Sequence, residues 1–168
     1  MKYQRFLTPT FNPLDLAKDT EKIVTKIGPG GLERKYTDFY SVPVYGGIST
    51  GYGVGCCLRC IYCWSNWSRD FPERFGVFHS PKVAVQRLFK AAEDGIAEYK
   101  SKLYVHVSFK AATRQGFTRR TGAIGKYYNL PFRALRYLLD EGIYVRAAAM
   151  TDPEIMPLEE RDSDRETE

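Results

Sequence analysis

Apolar residues recur along this chain with two different periods. After Ser80-Pro81, the residues Ala84, Val85, Leu88, Phe89 and Ala92 fall at helical spacing. Ser80 is placed to cap that helix, Pro81 suits its first turn, and Gly95 is a good stop. Leu103, Val105, Val107 and Phe109 then alternate with Tyr104, His106 and Ser108, which is the period of a strand. Pro131 opens a second helix with Phe132, Leu135, Leu138 and Leu139 as its core-facing stripe and Gly142 as its stop. Residues 143–150 read as the next strand, and a further strand is expected near residues 42–50, ahead of a loop. The order strand–loop–helix–strand–loop–helix–strand argues for an α/β fold with a parallel sheet. In folds of this kind chemistry gathers at the C-terminal ends of the strands. Upstream, residues 15–27 suit a short helix with Ile23, Val24 and Ile27 on one face, and Gly28-Pro-Gly-Gly31 marks a loop. Residues 1–47 carry no chemical motif and are expected to be an N-terminal extension packed on a core spanning residues 48–153.

At 168 residues the chain has the length of about one domain, and 43% hydrophobic with 14% aromatic residues is enough to bury a core. No apolar run reaches the roughly 18 residues of a membrane span. The first ten residues lack the apolar core and cleavage site of a secretory signal, so the expected location is the cytoplasm. The net charge of +5 is uneven. Residues 154–168 carry seven acids and two bases, which leaves the preceding residues strongly basic. That acidic tail has no apolar residue from Glu159 onward and is expected to be disordered.

All four cysteines fall within eight residues, in Gly55-Cys-Cys-Leu-Arg-Cys-Ile-Tyr-Cys-Trp64. Disulfides among such near neighbours would close tiny loops and stabilise little. In a cytosolic chain a cluster of this kind reads as metal-binding or redox. Structural zinc usually takes two cysteine pairs a dozen or more residues apart, and there is no second pair. Close spacing suits an iron–sulfur cubane, whose irons can each be capped by thiolates from one loop. Cys56-x3-Cys60-x2-Cys63 supplies three thiolates and leaves a fourth iron open. Spacing alone also allows the register Cys57-x2-Cys60-x2-Cys63.

Cys-x3-Cys-x2-Cys with an aromatic, here Tyr62, just before the last cysteine resembles the signature of the radical S-adenosylmethionine (SAM) enzymes. The flanking segments Tyr45 to Cys56, Gly76-Val-Phe-His-Ser-Pro81, Val107-Ser-Phe-Lys-Ala111, Arg120-Thr-Gly-Ala123 and Ala148-Ala-Met-Thr-Asp-Pro153 look like an archaeal-type branch of that superfamily. The resemblance runs over residues 39–160. It implies that Cys56, Cys60 and Cys63 hold a [4Fe–4S] cluster whose open iron chelates SAM. It implies that an electron from a donor such as ferredoxin or flavodoxin cleaves SAM to a 5′-deoxyadenosyl radical, which takes hydrogen from an unidentified substrate. The cofactor carries that chemistry and the protein positions it. The fold implied is a partial (β/α) barrel of the radical SAM type, with about three parallel strands and two main helices. A full core of this family has six βα units and a Gly-Gly-Glu-Pro-like segment. Here Gly30-Gly31 and Gly46-Gly47 both precede the cysteines, and the join near residues 95–102 is abrupt. The expectation is therefore a core shortened internally and at its C-terminal end, with impaired activity.

By the same resemblance Tyr62 would line the adenine pocket, against ordinary aromatic packing. Ser108 and Lys110 end a strand, where barrel enzymes place functional groups. Lys110 is a candidate for the SAM carboxylate, against a plain solvated lysine. Trp64 and Trp67 are expected to pack beside the cluster. Arg114, Arg119, Arg120 and Lys126 around Phe117 could meet RNA phosphate, but a solvated loop is the plainer expectation. Two further readings compete: a zinc-binding module on nucleic acid with His79 as a distant fourth ligand, and a cluster-binding pseudoenzyme. Open edges of a short parallel sheet would invite a homo-oligomer.

Overall fold

The computed structural model describes residue 3 and residues 5–43, 48–95, 105–152 and 154–163. Over these residues the chain forms two compact units. One is drawn from residues 1–5, 14–57 and 64–102, the other from residues 6–13, 58–63 and 103–168. The expectations that concern Gly46-Gly47, the join near residues 96–102, Leu103, Tyr104, Pro153 and residues 164–168 lie outside the described residues.

In the first unit, helix α1 (Pro13–Val24) leads into strand β1 (Thr25–Gly28), and the chain turns back at once through β2 (Gly31–Val42). The pair is antiparallel, from Thr25 opposite Arg34 to Gly28 opposite Gly31. The Gly-Pro-Gly-Gly segment is thus a hairpin turn rather than a plain loop, and Gly31 supplies the positive φ of 98° that the turn needs. Strands β3 (Ile48–Gly53) and β4 (Val77–His79) also pair antiparallel with β2, and the β3 register shifts between Tyr36 and Asp38. A short helix α2 (Asn66–Asp70) precedes β4. Helix α3 (Pro81–Gly95) packs on β2 and β3, where Ser49 Oγ donates to the Leu88 carbonyl at 2.5 Å.

The strand expected at residues 42–50, as the first member of a parallel sheet, is instead the end of β2 and the start of β3. Only residues 43–47 separate the two strands. Five residues suffice for an antiparallel return, whereas a parallel return needs a crossover of a dozen or more. Leu16, Val24, Val54 and Ala84 form the buried apolar set of this unit. Lys35 is buried beside them, and its ammonium is satisfied by donating to the Pro72 and Glu73 carbonyls at 3.0 and 3.4 Å. The α3 stripe is only partly covered: Ala84 is buried, but Val85 and Phe89 are exposed.

In the second unit, β5 (Val105–Phe109) and β6 (Val145–Ala149) pair in parallel, from Val105 opposite Val145 to Phe109 opposite Ala149. Both strands lie where the alternation places them. Between them come α4 (Arg114–Thr121), a 3-10 turn (Gly125–Asn129) and α5 (Leu130–Asp140), and α5 packs against both strands. That is the long connection a parallel pair requires. Ala111, Phe117 and Ala123 form the core, lined by Phe11, Leu58, Tyr127 and Tyr128. The α5 stripe is less covered than its periodicity suggests, because Phe132 and Leu139 remain exposed.

The fold is therefore mixed α and β. Among the described residues the sheets are mostly antiparallel, with one parallel pair in place of the three parallel strands expected, and no barrel is formed. Residues 114–121 are helical where a solvated loop was expected. The Thr113 side chain accepts the Gly116 N–H at 3.0 Å, and Gly122 ends the helix at φ 71°. The acidic tail also departs from expectation, since α6 spans Leu158–Ser163. No helix among the described residues is long and apolar enough to cross a membrane.

Gly76 tests the packing of the first unit. Its φ is 77°, and an added Cβ would meet Val54 Cγ2 at 2.6 Å and the Tyr36 carbonyl oxygen at 2.9 Å. Gly76→Ala is expected to lower stability by about 1–3 kcal/mol, seen as a lower urea midpoint by far-UV circular dichroism. Gly31→Ala, also at positive φ but with nothing within 4 Å of the new Cβ, should cost less.

Candidate metal centre

The cysteine segment leaves the first unit at a fixed point. Val54 N–H donates to the Lys35 carbonyl and Gly55 N–H to the Ser68 carbonyl, both at 3.2 Å. Gly55 has φ 78°, and a Cβ there would meet Thr20 Cγ2 at 2.5 Å, so only glycine fits under α1 at this step. Cys56 follows, exposed, and then Cys57, half-buried. Both belong to the first unit, whereas Cys60 and Cys63, also half-buried, belong to the second. All four are thiols.

Cys60 and Cys63 share a tight turn closed by the Cys63 N–H donating to the Cys60 carbonyl at 3.2 Å. The backbone of this turn is tied to the C-terminal end of α4. Arg59 N–H donates to the Thr121 carbonyl at 3.0 Å, and Ile61 N–H to the Arg120 carbonyl at 2.9 Å. Tyr62 is half-buried, and its hydroxyl oxygen is fully buried without a hydrogen-bond partner of ordinary geometry. Its pKa is raised, first by burial and then by the negative charge and hydrogen bonding of Cys60 beside it; the Arg120 guanidinium works against that shift. The phenol therefore stays protonated.

Arg120 has no exposed surface, which its place in a basic stretch does not signal. Its Nε donates to the Lys110 carbonyl at 3.0 Å, and its Nη1 to the Ile155 carbonyl at 3.2 Å and to Glu160 Oε2 at 3.0 Å. Nη2 donates to Glu160 Oε1, completing a bidentate pair. The Glu160 carboxylate also accepts from Ala112 N–H at 3.2 Å and from Arg119 at 3.3 Å. Burial alone would raise the Glu160 pKa, but the Arg120 hydrogen bonds and charge, with the Ala112 and Thr113 N–H groups, outweigh it and hold the pKa below its ordinary value. The basic stretch read as a possible phosphate contact thus spends its central arginine inside the fold. Glu160, expected in a solvated tail, is its partner.

Lys110 and Ser108 end β5 in the same unit as Cys60, Cys63 and Tyr62, and Lys110 Nζ donates to Ser108 Oγ at 2.6 Å. The contact is open to solvent. Trp64, Trp67, Tyr52 and Phe75 form an aromatic row in the first unit. Tyr52 lies parallel to Trp67 at 5.8 Å, and Trp64 remains largely exposed. His79 sits in β4 opposite Arg34 with its ring edge-on to Phe39 at 5.4 Å. Its pKa is lowered, first by burial and then by the Arg87 charge. His106 lies opposite Arg146 in the parallel pair.

Among the described residues no three Cys, His, Asp or Glu side chains are gathered as a ligand set. The donors nevertheless suit an iron–sulfur cubane in kind and spacing, because three thiols follow at x3-x2, two of them already on one turn beside a buried phenol.

Removing Glu160 should be costly, since Arg120 would stay buried without its counter-charge. Glu160→Ala is expected to destabilise the protein by about 3–5 kcal/mol in urea unfolding, and truncation before Leu158 by a similar amount. The pH dependence follows from the lowered Glu160 pKa. The carboxylate's contribution is complete above the ordinary carboxylate range and is lost as pH falls through the lower, folded-state value. The difference in stability between the parent and Glu160→Ala should therefore shrink on acidification. No family model matches this chain, and no curated protein or solved structure matches it either.

Proposed function

We propose that this chain is an iron–sulfur protein of the radical SAM type, in which Cys56, Cys60 and Cys63 hold a [4Fe–4S] cluster. The observation that carries the reading is the Cys60–Cys63 turn, pinned at Arg59 and Ile61, within a x3-x2 spacing of thiols. When bound, such a cluster supplies one-electron reduction of S-adenosylmethionine, fed by a donor such as ferredoxin or flavodoxin. The chain's own residues do the rest. The pinned turn holds two of the three thiols on one stretch of backbone, and Cys56 would supply the third, with metal binding adding to folding in the usual way. Tyr62, a buried phenol on the same turn, would line the adenine pocket. Lys110, which donates to Ser108 Oγ just after β5, is the cation that would receive the carboxylate of SAM in this reading, with Ser108 beside it. In this reading the parallel β5–β6 pair with its α4–α5 connection is one βαβ piece of a partial (β/α) barrel, and the protein works in the cytoplasm.

The test is metal content. Anaerobically reconstituted protein should be brown and hold about four iron and four sulfide per chain. Cys60→Ala should lose most of the iron, and Cys57→Ala should keep it. Retention by Cys56→Ala together with loss by Cys57→Ala would assign the other register. A colourless protein holding zinc would overturn the reading.

A further inference from the structure

We infer that Arg120 is the positioning residue of the cysteine turn and that Glu160, forty residues further on, makes it so. This deepens the metal-centre reading and rests on it for the part the thiols play. The link runs through hydrogen bonds within the second unit. The carbonyls of Arg120 and Thr121 hold the N–H groups of Ile61 and Arg59, the residues that flank Cys60. Those carbonyls sit at the last turn of α4, a short helix, so their position depends on what fixes that end. The fixing group is the Arg120 side chain, fully buried and bonded to three separate segments: Lys110 after β5, Ile155 ahead of α6, and Glu160 within it. Thr121, also fully buried, adds a bond from its hydroxyl to the Phe117 carbonyl at 2.7 Å.

Glu160 is fitted to this task. Its carboxylate lies so close to α4 that a Cβ on Gly116 would meet Oε1 at 2.0 Å, so the helix carries glycine there. With Glu160 in place the guanidinium is locked by a bidentate pair. Without it a buried cation loses its counter-charge and is driven toward water, which pulls on the backbone it belongs to. The same carbonyl that holds Ile61 would move with it. The acidic C-terminal segment is thus an arm of the site, acting on Cys60 and Cys63 through Arg120.

The experiment reads the thiols of the metal-free, folded protein. Iodoacetamide modification is followed for each cysteine by peptide mass spectrometry, with circular dichroism as the check on folding. In Glu160→Ala, Cys60 and Cys63 should react on the order of tenfold faster through local opening of the turn, with Cys56 within about twofold of the parent. The double variant Arg120→Met with Glu160→Leu replaces the ion pair by apolar side chains of similar volume, a change that folds tolerate. It should leave Cys60 and Cys63 about as fast as Glu160→Ala does, because the guanidinium that fixes the end of α4 is absent from it. If Glu160→Ala does not fold, Glu160→Gln, which keeps an acceptor and drops the charge, should show a smaller rise at the same two cysteines. Unchanged rates in the folded single variant, an equal rise at Cys56, or a folded double variant that matches the parent would each overturn the inference. Iron content of the same proteins separates the two readings. A parent that takes up no iron yet shows this thiol pattern loses the metal centre and keeps the positioning role. A parent that takes up iron without the thiol pattern keeps the centre and loses Arg120's role.

Discussion

A guanidinium with no exposed surface must be met by acceptors on all sides, and this requirement organises the second unit. Arg120 cannot lose its proton, so its desolvation has to be offset by hydrogen bonds and a counter-charge. The chain answers with two backbone carbonyls and one carboxylate, drawn from three segments that are distant in sequence. Lys110, Ile155 and Glu160 are held together because each is bonded to the same side chain. The end of α4 is fixed as a result, and with it the turn that carries Cys60 and Cys63. Local chemistry at the cysteines and the packing of the C-terminal segment are therefore one problem rather than two.

Much of the fold was legible where one face of an element has a clear period. Helix α3 begins at Pro81 as the Ser80-Pro81 pair suggests, and β5, α5 and β6 fall where alternation and helical spacing place them. The antiparallel sheet was not read. In β2 the polar residues Glu33, Lys35 and Asp38 interrupt the apolar pattern, and the strand is held by pairing on β1, β3 and β4 rather than by an apolar face. A signal was present, because Gly28-Pro-Gly-Gly31 between two short runs is hairpin chemistry. Helix α4 was hidden differently. Its apolar content is one phenylalanine, and its signature lies in the Thr113 cap and the Gly122 stop.

The site was legible in part for the same kind of reason. Thiol spacing is a local property, so Cys56, Cys60 and Cys63, and the aromatic between the last two, could be singled out from the sequence as candidates. Where those thiols sit is not local: the loop crosses from one unit to the other between Cys57 and Leu58. Nor is the Arg120–Glu160 pair, because nothing in an arginine within a basic stretch, or a glutamate within an acidic one, tells which is buried. Only tertiary structure pairs them, and a net-charge reading assigns both to solvent. Ser108 and Lys110 show the intermediate case. The strand end places them, but the hydrogen bond between them appears only in the folded chain.

Three thiols of one loop are proposed to hold a cluster with an iron open to S-adenosylmethionine. Electron paramagnetic resonance of the iron-loaded, dithionite-reduced protein, recorded with and without S-adenosylmethionine, tests it most directly. The account predicts the signal of a reduced [4Fe–4S] cluster whose shape changes when S-adenosylmethionine is added, as expected for a ligand binding at the open iron. A reduced-cluster signal that S-adenosylmethionine leaves unchanged, or no such signal at all, would contradict it.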